Sequence, residues 1–525
     1  MFVHSIYITK IKQGIEVNGF SLMFKNKISP LQEDLKQISM IRSNIWIIPL
    51  SIILAFLFIT IFSTSTTILG SVPSFDSSIF QIIGKGWTDG ILPYTGLWDH
   101  KGPLIFFINA VGFWLCHSNV GIFIIQVVCL TITTYFTLSF YRRYFSDKQS
   151  LTYTLASLAF LSICTEGGNS VEEYILPLLM PAFFYMYEWT QRWTNRQDIT
   201  HSHHYAFLYG VILAFSFLTR LTNALGICIG AVIIAIVLVQ QRKYKQLISN
   251  ILFFLFGFTI LVLPFVVYFY SKGALDEMLY GTFYYNIGYA INSYTEFDSI
   301  RSIISFLLAS ASSICLVIVS IITILCDQRR KESGYFWLTL SGITLLFFLN
   351  SFQYNHYAII TLPFLCISIV EMTYNLKVIG NRTLKCFIKY GISCFFIVIS
   401  LGILHEIYQV INVHQYRNQS EEYCRIVLTE IPDHERNSFV TYNINPSCYI
   451  LLGVTPACRY FFRQDWLIRN NSSIQQSVIE AFENSNIKWI LVRDKIWNRD
   501  VRKALSKKYT IHAQSKDLTL LRLNE

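Results

Sequence analysis

The chain has 525 residues, of which 53% are hydrophobic and only 14% are charged, and its formal net charge is +10. Soluble domains carry roughly 25% charged residues, so this composition excludes an ordinary soluble protein and predicts a membrane protein. The basic residues stand in short clusters between apolar runs, as the positive-inside rule requires of a multi-pass protein. A nucleic-acid partner is therefore not expected.

Residues 1–43 are mixed polar and basic and lack the apolar core of a signal peptide, so we expect a cytoplasmic segment, with Met23 and Met40 as alternative starts. From residue 44 to 408 we expect about eleven membrane-spanning helices, because apolar runs of about 17–25 residues recur there. A shorter apolar stretch near 104–116 is expected to be interfacial or re-entrant. The spans are predicted at roughly 44–68, 119–141, 150–165, 173–190, 205–219, 222–240, 247–270, 302–326, 335–350, 357–374 and 388–408.

The basic clusters fall in alternate connections between these spans, which sets the predicted orientation. They are Arg142/Arg143, Arg192/Arg196, Arg242/Lys243/Lys245, Arg329/Arg330/Lys331 and Lys377/Arg382/Lys385/Lys389. With these clusters in the cytoplasm, the outer loops are those that contain Asp76, Glu166, Arg220, Asp276 and His356. The chain after residue 408 is then also outside.

Residues 409–525 change character and predict a small extracytoplasmic α/β domain. Short β-branched or aromatic runs at 438–444, 487–494, 508–513 and 518–523 alternate with helical spacing at 474–484 and 499–507. The spacing of Cys448 and Cys458 leaves a disulfide open in an oxidising compartment. No CxxC pair is present, so a structural zinc site is not expected.

The first external loop, residues 69–103, is the most polar part of the amino-terminal half. Asp76 opens an amphipathic run there, which leaves two interpretations: a helix N-cap or a general base at the membrane boundary. Asp99, His100 and Lys101 precede Gly102-Pro103, where a helix is expected to start. They form either a solvated turn or a phosphate site, in which Asp99 and His100 orient Lys101 or ligate a divalent cation.

Further ionisable residues are predicted at the same membrane face. Glu166 and Glu172 stand around a Gly-Gly turn, and Arg220 interrupts a long apolar run. Arg220 either snorkels to the interface or binds a phosphate. His356 and Tyr357 stand at the outer end of a later span. A secondary transporter tends to place its polar groups near the bilayer midplane, so charges gathered at one face favour an enzyme that takes one substrate from the lipid.

The residues of the first loop carry a family resemblance. FDSSIFQIIGKGWTDGILPY followed by WDHKGP resembles the first external loop of the polyprenyl-phosphate-sugar-dependent GT-C glycosyltransferases, in the bacterial branch related to protein O-mannosyltransferases and lipid A aminoarabinose transferases. EGGNSVEEY, FLTRLTN and NHY extend the resemblance over most of the membrane part. It implies a polytopic α-helical GT-C fold, with Asp76 as the essential loop aspartate and Lys101 as the lysine that contacts the lipid phosphate.

Two positions depart from the family pattern. His100 stands where the aminoarabinose branch has an acid directly before the lysine, and Ser77 stands where protein mannosyltransferases have a second acid. Glu172 and Arg220 carry over by context alone. These departures leave the acceptor and a divalent-cation requirement open.

The resulting prediction is an inverting glycosyltransferase of the bacterial cytoplasmic membrane, active on its periplasmic or extracellular side. It moves a sugar from a polyprenyl-phosphate donor to a glycan, lipid or protein acceptor. Asp76 is the base, Lys101 and Arg220 bind the donor phosphate, and Asp99, His100, Glu166, Glu172, His356 and Tyr357 support the site. Two alternatives remain: a polysaccharide polymerase or ligase with a lipid-diphosphate donor, and a transporter or flippase of lipid-linked sugars.

Overall fold

The computed structural model describes residues 46–65, 72–196, 199–292, 300–351, 354–380, 414–484, 486–493, 496, 498–515 and 517–524, with the isolated positions 382, 385, 386 and 402. The chain divides into two units, residues 1–53 and 54–525. In the first unit, the described residues form the start of helix α1. The predicted amino-terminal segment 1–43 and nearly all of the predicted span 388–408 lie outside the described residues.

The membrane part consists of helices. They are α1 (Ile47–Phe62), α2 (Phe75–Thr88), α3 (Pro103–Cys116), α4 (Val120–Arg142), α5 (Asp147–Cys164), α6 (Val171–Thr194), α7 (His203–Phe217), α8 (Leu225–Gln240), α9 (Tyr244–Ser271), α10 (Leu275–Leu279), α11 (Tyr285–Asn292), α12 (Ile300–Cys326), α13 (Lys331–Ser351) and α14 (Leu362–Val378). Two 3₁₀ turns, Leu221–Ala224 and Asn355–Thr361, lead into α8 and α14.

Five helical stretches among the described residues are long and apolar enough to cross a membrane: Val120–Arg142, Leu221–Gln240, Tyr244–Ser271, Ala309–Cys326 and Asn355–Val378. Along α9, apolar side chains such as Ile248, Leu252 and Phe256 are more than half exposed. A helix that is apolar all round and unburied suits lipid contact. The chain is thus a predominantly helical multi-pass membrane protein, and the total of eleven spans stays a prediction.

Helices α2 and α3 pack closely against each other and frame the first external loop. A Cβ atom added to Gly84 would lie 2.6 Å from the Cβ of Asn109, so only glycine permits this approach. Helix α3 starts with Pro103 at its first position and has 14 residues. At 1.5 Å per residue it is about 21 Å long, which is too short to cross a hydrocarbon core of about 30 Å.

The carboxy-terminal part contains a four-stranded sheet in the order β1-β2-β4-β3. Strand β1 pairs in parallel with β2, whereas β4 is antiparallel to both of its neighbours. The elements are α15 (His414–Glu430), β1 (Phe439–Tyr442), α16 (Ser447–Leu452), α17 (Gln464–Asn470), α18 (Gln475–Asn484), β2 (Trp489–Arg493), α19 (Arg499–Lys508), β3 (Tyr509–Ser515) and β4 (Leu518–Leu523). All four strands lie at the positions predicted from the sequence. Cys448 and Cys458 are both buried, and the structure has no disulfide between them, although their spacing left one open.

The carboxy-terminal part packs directly on the first external loop. The backbone N–H of Trp98 donates a hydrogen bond to the carbonyl of Arg459 at 2.9 Å. The indole of Trp98 is fully buried and packs against the rings of Tyr460 and Tyr285. Buried aromatic pairs of this kind contribute about 0.5–1.5 kcal/mol beyond the burial of their area. This contact ties the first external loop to the carboxy-terminal part.

Candidate active site

Asp76 lies in the first turn of α2 and is half-buried. The helix begins at Phe75 and its N-cap position is Ser74, so the N-cap interpretation of Asp76 is wrong. A carboxylate in the first turn still interacts favourably with the helix dipole. No side chain in the described part of the chain forms a hydrogen bond or ion pair with it, which leaves its oxygens available to a substrate.

Asp99, His100 and Lys101 form a row of polar contacts. His100 Nδ1 lies 3.0 Å from Asp99 Oδ1, and His100 Nε2 lies 3.4 Å from Lys101 Nζ. Asp99 is 2% exposed. Its burial raises the pKa of the carboxyl, but the neighbouring His100 and Lys101 more than offset this, and the pKa lies below its ordinary value. The ionised Asp99 therefore orients His100, which in turn positions the Lys101 ammonium.

The geometry gives less support to a metal at Asp99 and His100. Within the described ranges, no group of three His, Cys, Asp or Glu side chains is arranged to hold a metal ion. A divalent cation in a protein usually has several oxygen ligands, and here Asp99 already faces His100. The arrangement favours orientation of the lysine, which was the other interpretation.

The end of α7 brings Arg220 next to the lysine. The backbone N–H of Gly102 donates to the carbonyl of Thr219 at 3.2 Å, and that of Leu104 donates to Leu218 at 3.0 Å. A Cβ atom on Gly102 would lie only 2.2 Å from the Leu218 carbonyl oxygen, so this approach requires glycine. Arg220 follows Thr219, and Lys101 precedes Gly102. These backbone hydrogen bonds therefore hold Arg220 and Lys101 near each other.

Arg220 is fixed by two partners. Its guanidinium donates a hydrogen bond to Glu172 Oε1 at 3.1 Å and lies 3.1 Å from the centre of the Tyr357 ring. The Glu172 side chain is 1% exposed, whereas that of Arg220 is 18% exposed. An arginine that merely snorkels to the interface would not need a buried acid and an aromatic ring beneath it. The remaining N–H groups of Arg220 are available to an anion.

Glu166 and His356 form a second pair beside it. Glu166 adopts a left-handed backbone conformation, with φ of 46°. Its carboxylate lies 2.6 Å from His356 Nδ1 and accepts hydrogen bonds from the backbone N–H groups of Asn355 and His356. Burial raises the pKa of Glu166, but these hydrogen bonds prevail and hold the pKa below its ordinary value. The pair fixes the turn that leads into α14.

Tyr354 marks the space that these groups share. The pKa of the Tyr354 phenol is raised, mainly because the group is partly removed from water. The carboxylates of Asp76 and Glu166 raise this pKa further, whereas the cations Lys101 and Arg463 lower it. Electrostatic effects between groups in contact with water fade over about 10 Å. Asp76 and Lys101 therefore both lie within electrostatic range of Tyr354. By direct contact the structure brings together Asp99, His100 and Lys101, then Arg220 with Glu172 and Tyr357, and Glu166 with His356.

Arg463 is a candidate that the sequence analysis missed. It precedes α17, has φ of 35°, and places its guanidinium 4.0 Å from the centre of the Phe75 ring, next to Asp76. It is exposed. The signal in the sequence was a single basic residue within the aromatic run YFFRQDW. Its proximity to Asp76 depends on how the carboxy-terminal part packs on α2, which no local pattern reveals.

A buried polar network behind α2 was missed as well. Asn169 donates to Ser77 Oγ and to Asn109 Oδ1, both at 3.0 Å, and accepts from Tyr174 at 2.6 Å. Gln126 donates to Glu173 at 2.9 Å. Hydrogen bonds between buried side chains restrict the movement of the elements that they join. This network ties the first turn of α2, and hence Asp76, to α3, α4 and α6.

The fold has known counterparts among solved structures. A crystal structure of ArnT from Cupriavidus metallidurans bound to undecaprenyl phosphate matches with a TM-score of 0.55 and 11% identity, over 91% of this chain and 97% of that one. The apo structure of the same protein matches with a TM-score of 0.54 and 10% identity, over 92% and 98%. No protein-family model and no curated protein matches the sequence. ArnT is a lipid A aminoarabinose transferase of the GT-C fold, so the GT-C fold predicted from the first loop is confirmed.

Proposed function

Because the chain has the GT-C fold, we propose that it is an inverting glycosyltransferase that uses a polyprenyl-phosphate sugar as its donor. The observation that carries the proposal is that Lys101, lined up with Asp99 and His100, is tied to Arg220 by the Gly102–Thr219 backbone hydrogen bond. Asp76 acts on the same Tyr354 phenol as Lys101. A base and a phosphate-binding cation are the two groups that this transfer needs. The ArnT structure of the same fold contains undecaprenyl phosphate, which supports a donor of that class.

Asp76 is the proposed general base. Its carboxylate takes the proton of an acceptor hydroxyl, whose oxygen forms a bond to the anomeric carbon of the donor sugar. The bond from that carbon to the phosphate oxygen breaks on the opposite face, and the electron pair leaves with the polyprenyl phosphate. One displacement of this kind inverts the configuration. Positioned bases typically contribute about 10²–10⁴-fold to such a step.

Lys101, Arg220 and Arg463 are the proposed cations around the leaving phosphate. A phosphate monoester leaves with its charge and needs charge stabilisation more than protonation. Lys101 is aimed by Asp99 and His100, and Arg220 is held by Glu172 and Tyr357. Because both cations are fixed before the donor binds, little reorganisation is required when the phosphate charge develops.

The cellular arrangement follows the charge distribution of the sequence. We place residues 1–43 in the cytoplasm, the catalytic domain at 44–408 in the bacterial cytoplasmic membrane, and residues 409–525 on the outer side, where the site opens. The acceptor is a glycan, lipid or protein of the cell envelope.

A transfer assay with the purified full chain tests the proposal. The donor is a polyprenyl-phosphate sugar, and mass analysis of the released lipid distinguishes a monophosphate from a diphosphate. We expect Asp76→Asn to lower the rate by about 10²–10⁴-fold. The matched control is Asp89→Asn, an exposed acid at the other end of α2, which should leave the rate unchanged. Full activity in Asp76→Asn would show that Asp76 is not the general base. Release of a polyprenyl diphosphate would show that the donor is a lipid-diphosphate sugar and not a lipid-monophosphate sugar.

A further inference from the structure

A cavity lies beside the later turns of α2. It has a volume of about 260 Å³ and is enclosed by the later turns of α2, the connection between α3 and α4, and the segment around α16. Its polar lining includes Gln81, Lys85, His117 and Thr455. A cavity of this size lies near the lower end of the range for small-molecule sites.

The cavity is separate from the candidate active site. Gln81 and Lys85 follow Asp76 by five and nine residues, which at 100° per residue places them about 140° and 180° around the helix. None of the nine residues of the candidate active site lines this cavity. A ligand here therefore meets a different face of α2 from the one that carries the proposed base.

Gln81 forms part of the cavity wall, and its side chain is held in place. The side chain is fully buried, and its Nε2 donates to the carbonyl of Ser65 at 2.8 Å and lies 3.1 Å from Ser77 Oγ. A fully buried side chain does not reach a ligand in the cavity. The polar contacts of a ligand therefore fall to Lys85 and His117.

The charge of the cavity favours an anion. Lys85 is half-buried, and none of the residues that line the cavity is acidic. His117 ends α3 in a left-handed conformation with φ of 50°, and Ser118 and Asn119 lead into the 23-residue helix α4. Lys85 therefore supplies the positive charge of the lining, and a phosphate group would pair with it.

Apolar side chains next to the cavity indicate that the anion comes from a lipid. Trp114 is 72% exposed, Leu115 52% and Val120 39%, all at the junction of α3 and α4. Exposed tryptophan beside apolar residues is typical of the level of lipid headgroups. A phosphate held at Lys85 and His117 would have its acyl chains directed along these residues.

We propose that this cavity binds a membrane lipid through an anionic phosphate headgroup. The phosphate meets Lys85 and His117. The site is independent of the glycosyl transfer proposed above, since it uses none of the same residues. Its occupation joins α2 to α16 of the carboxy-terminal part.

Binding of defined short-chain lipids to the purified full chain tests this site. The probes are dihexanoyl-phosphatidylglycerol, which has an anionic phosphate and hydroxyls, and dihexanoyl-phosphatidylcholine, which has no net charge and no donor. We expect the first to bind roughly tenfold or more tighter, a difference of about 1.4 kcal/mol. Glycerol 1-phosphate is the third probe, and binding as tight as that of the lipid would assign the site to a soluble phosphate ester.

Variants of the lining assign the binding to this cavity. Lys85→Gln keeps the apolar stem and should weaken phosphatidylglycerol binding roughly tenfold, and Lys85→Glu should weaken it more. Thr455→Trp should block the cavity by size without a change of charge. The control is Lys272→Glu, at an exposed lysine that does not line the cavity, and it should bind as the wild type does.

The outcome separates this site from the transferase. Asp76→Asn should bind phosphatidylglycerol as the wild type does, whether or not it has lost transfer activity. Wild-type binding in Lys85→Gln and Thr455→Trp, or equal affinity for phosphatidylcholine, would overturn the proposal. Neither result would affect the assignment of Asp76.

Discussion

Two arginine–glutamate pairs at opposite ends of the membrane helices show how similar chemistry serves different purposes. At one end Arg220 pairs with Glu172 and lies over Tyr357. At the other end Arg330 pairs with Glu371 and lies 4.1 Å from the centre of the Tyr374 ring. Helix α6 supplies Glu172 in its first turn and Gln191 in its last, and 19 residues of helix span about 28 Å. The two pairs thus lie about one hydrocarbon thickness apart.

The pairs differ in how completely their charges are enclosed. The side chains of Arg330 and Glu371 are 7% and 4% exposed, and Gln191 bridges them, accepting from Arg330 at 2.8 Å and donating to Glu371 at 3.1 Å. Arg220 is 18% exposed, and the backbone hydrogen bond between Gly102 and Thr219 holds it near Lys101. Accessibility and neighbouring charges, rather than the ion pair itself, distinguish a binding group from a structural one.

The largest expected effect is on the stability of the fold, at the buried pair of Arg330 and Glu371. Glu371→Ala leaves the buried Arg330 charge uncompensated, which should lower the free energy of unfolding by about 3–5 kcal/mol. Denaturant titration of the purified protein measures it. The double variant Arg330→Met/Glu371→Leu should recover most of the loss, because no unpaired charge remains. A mild effect in Glu371→Ala would mean that the pair is solvated and not structural.

The next largest effect is expected on catalysis, at the end of the membrane helices that contains Arg220 and Lys101. Lys101→Ala should lower kcat/KM for the lipid donor by about 10²–10³-fold, as for removal of one charge-stabilising donor, with little change in thermal stability. Steady-state transfer assays over a range of donor concentration measure it. Lys272→Ala, at an exposed lysine away from the cluster, is the control. If Lys101→Ala lost stability and not activity, the two ends would not differ in the way described.

Arg463 should give a smaller effect. Arg463→Ala removes a cation that lies over Phe75 but is exposed, so we expect KM to rise roughly tenfold or less, with kcat largely kept. Arg463→Lys should restore part of the binding if charge is what matters. Unchanged kinetics in Arg463→Ala would assign the residue to packing of the carboxy-terminal part on α2.

The smallest effect is a dependence of stability on pH at the accessible end. The pKa values of Asp99 and Glu166 lie below their ordinary values, so both carboxylates stabilise the fold above about pH 4, where they are ionised in the unfolded chain too. That contribution is lost as the pH falls through their lowered values. Thermal unfolding should therefore be insensitive to these groups between about pH 5 and 8 and decline below about pH 4. Asp99→Asn should flatten part of the decline, and a decline that starts near neutral pH would implicate another group.

Much of the architecture was predictable from local pattern. Hydrocarbon accepts only helices that satisfy their own backbone hydrogen bonds, so apolar runs between basic clusters locate the helices directly. The strands of the carboxy-terminal sheet follow from β-branched runs for the same local reason. Asp76 and Lys101 stood out because charges beside a membrane span are costly and hence functional candidates. The pairing of Arg220 with Glu172 and Tyr357, and of Glu166 with His356, was only suggested by a common side of the membrane.

Long-range packing decided the remainder. Arg463 reaches the site because the carboxy-terminal part lies on the first loop through Trp98, and Asn169 joins α2 only because three other helices meet there. The Lys85 cavity likewise needs α16 as its far wall. Such contacts depend on which surfaces meet after the chain has folded. Residue spacing along the sequence describes the face that each helix presents, but it does not specify the partner that the face will meet.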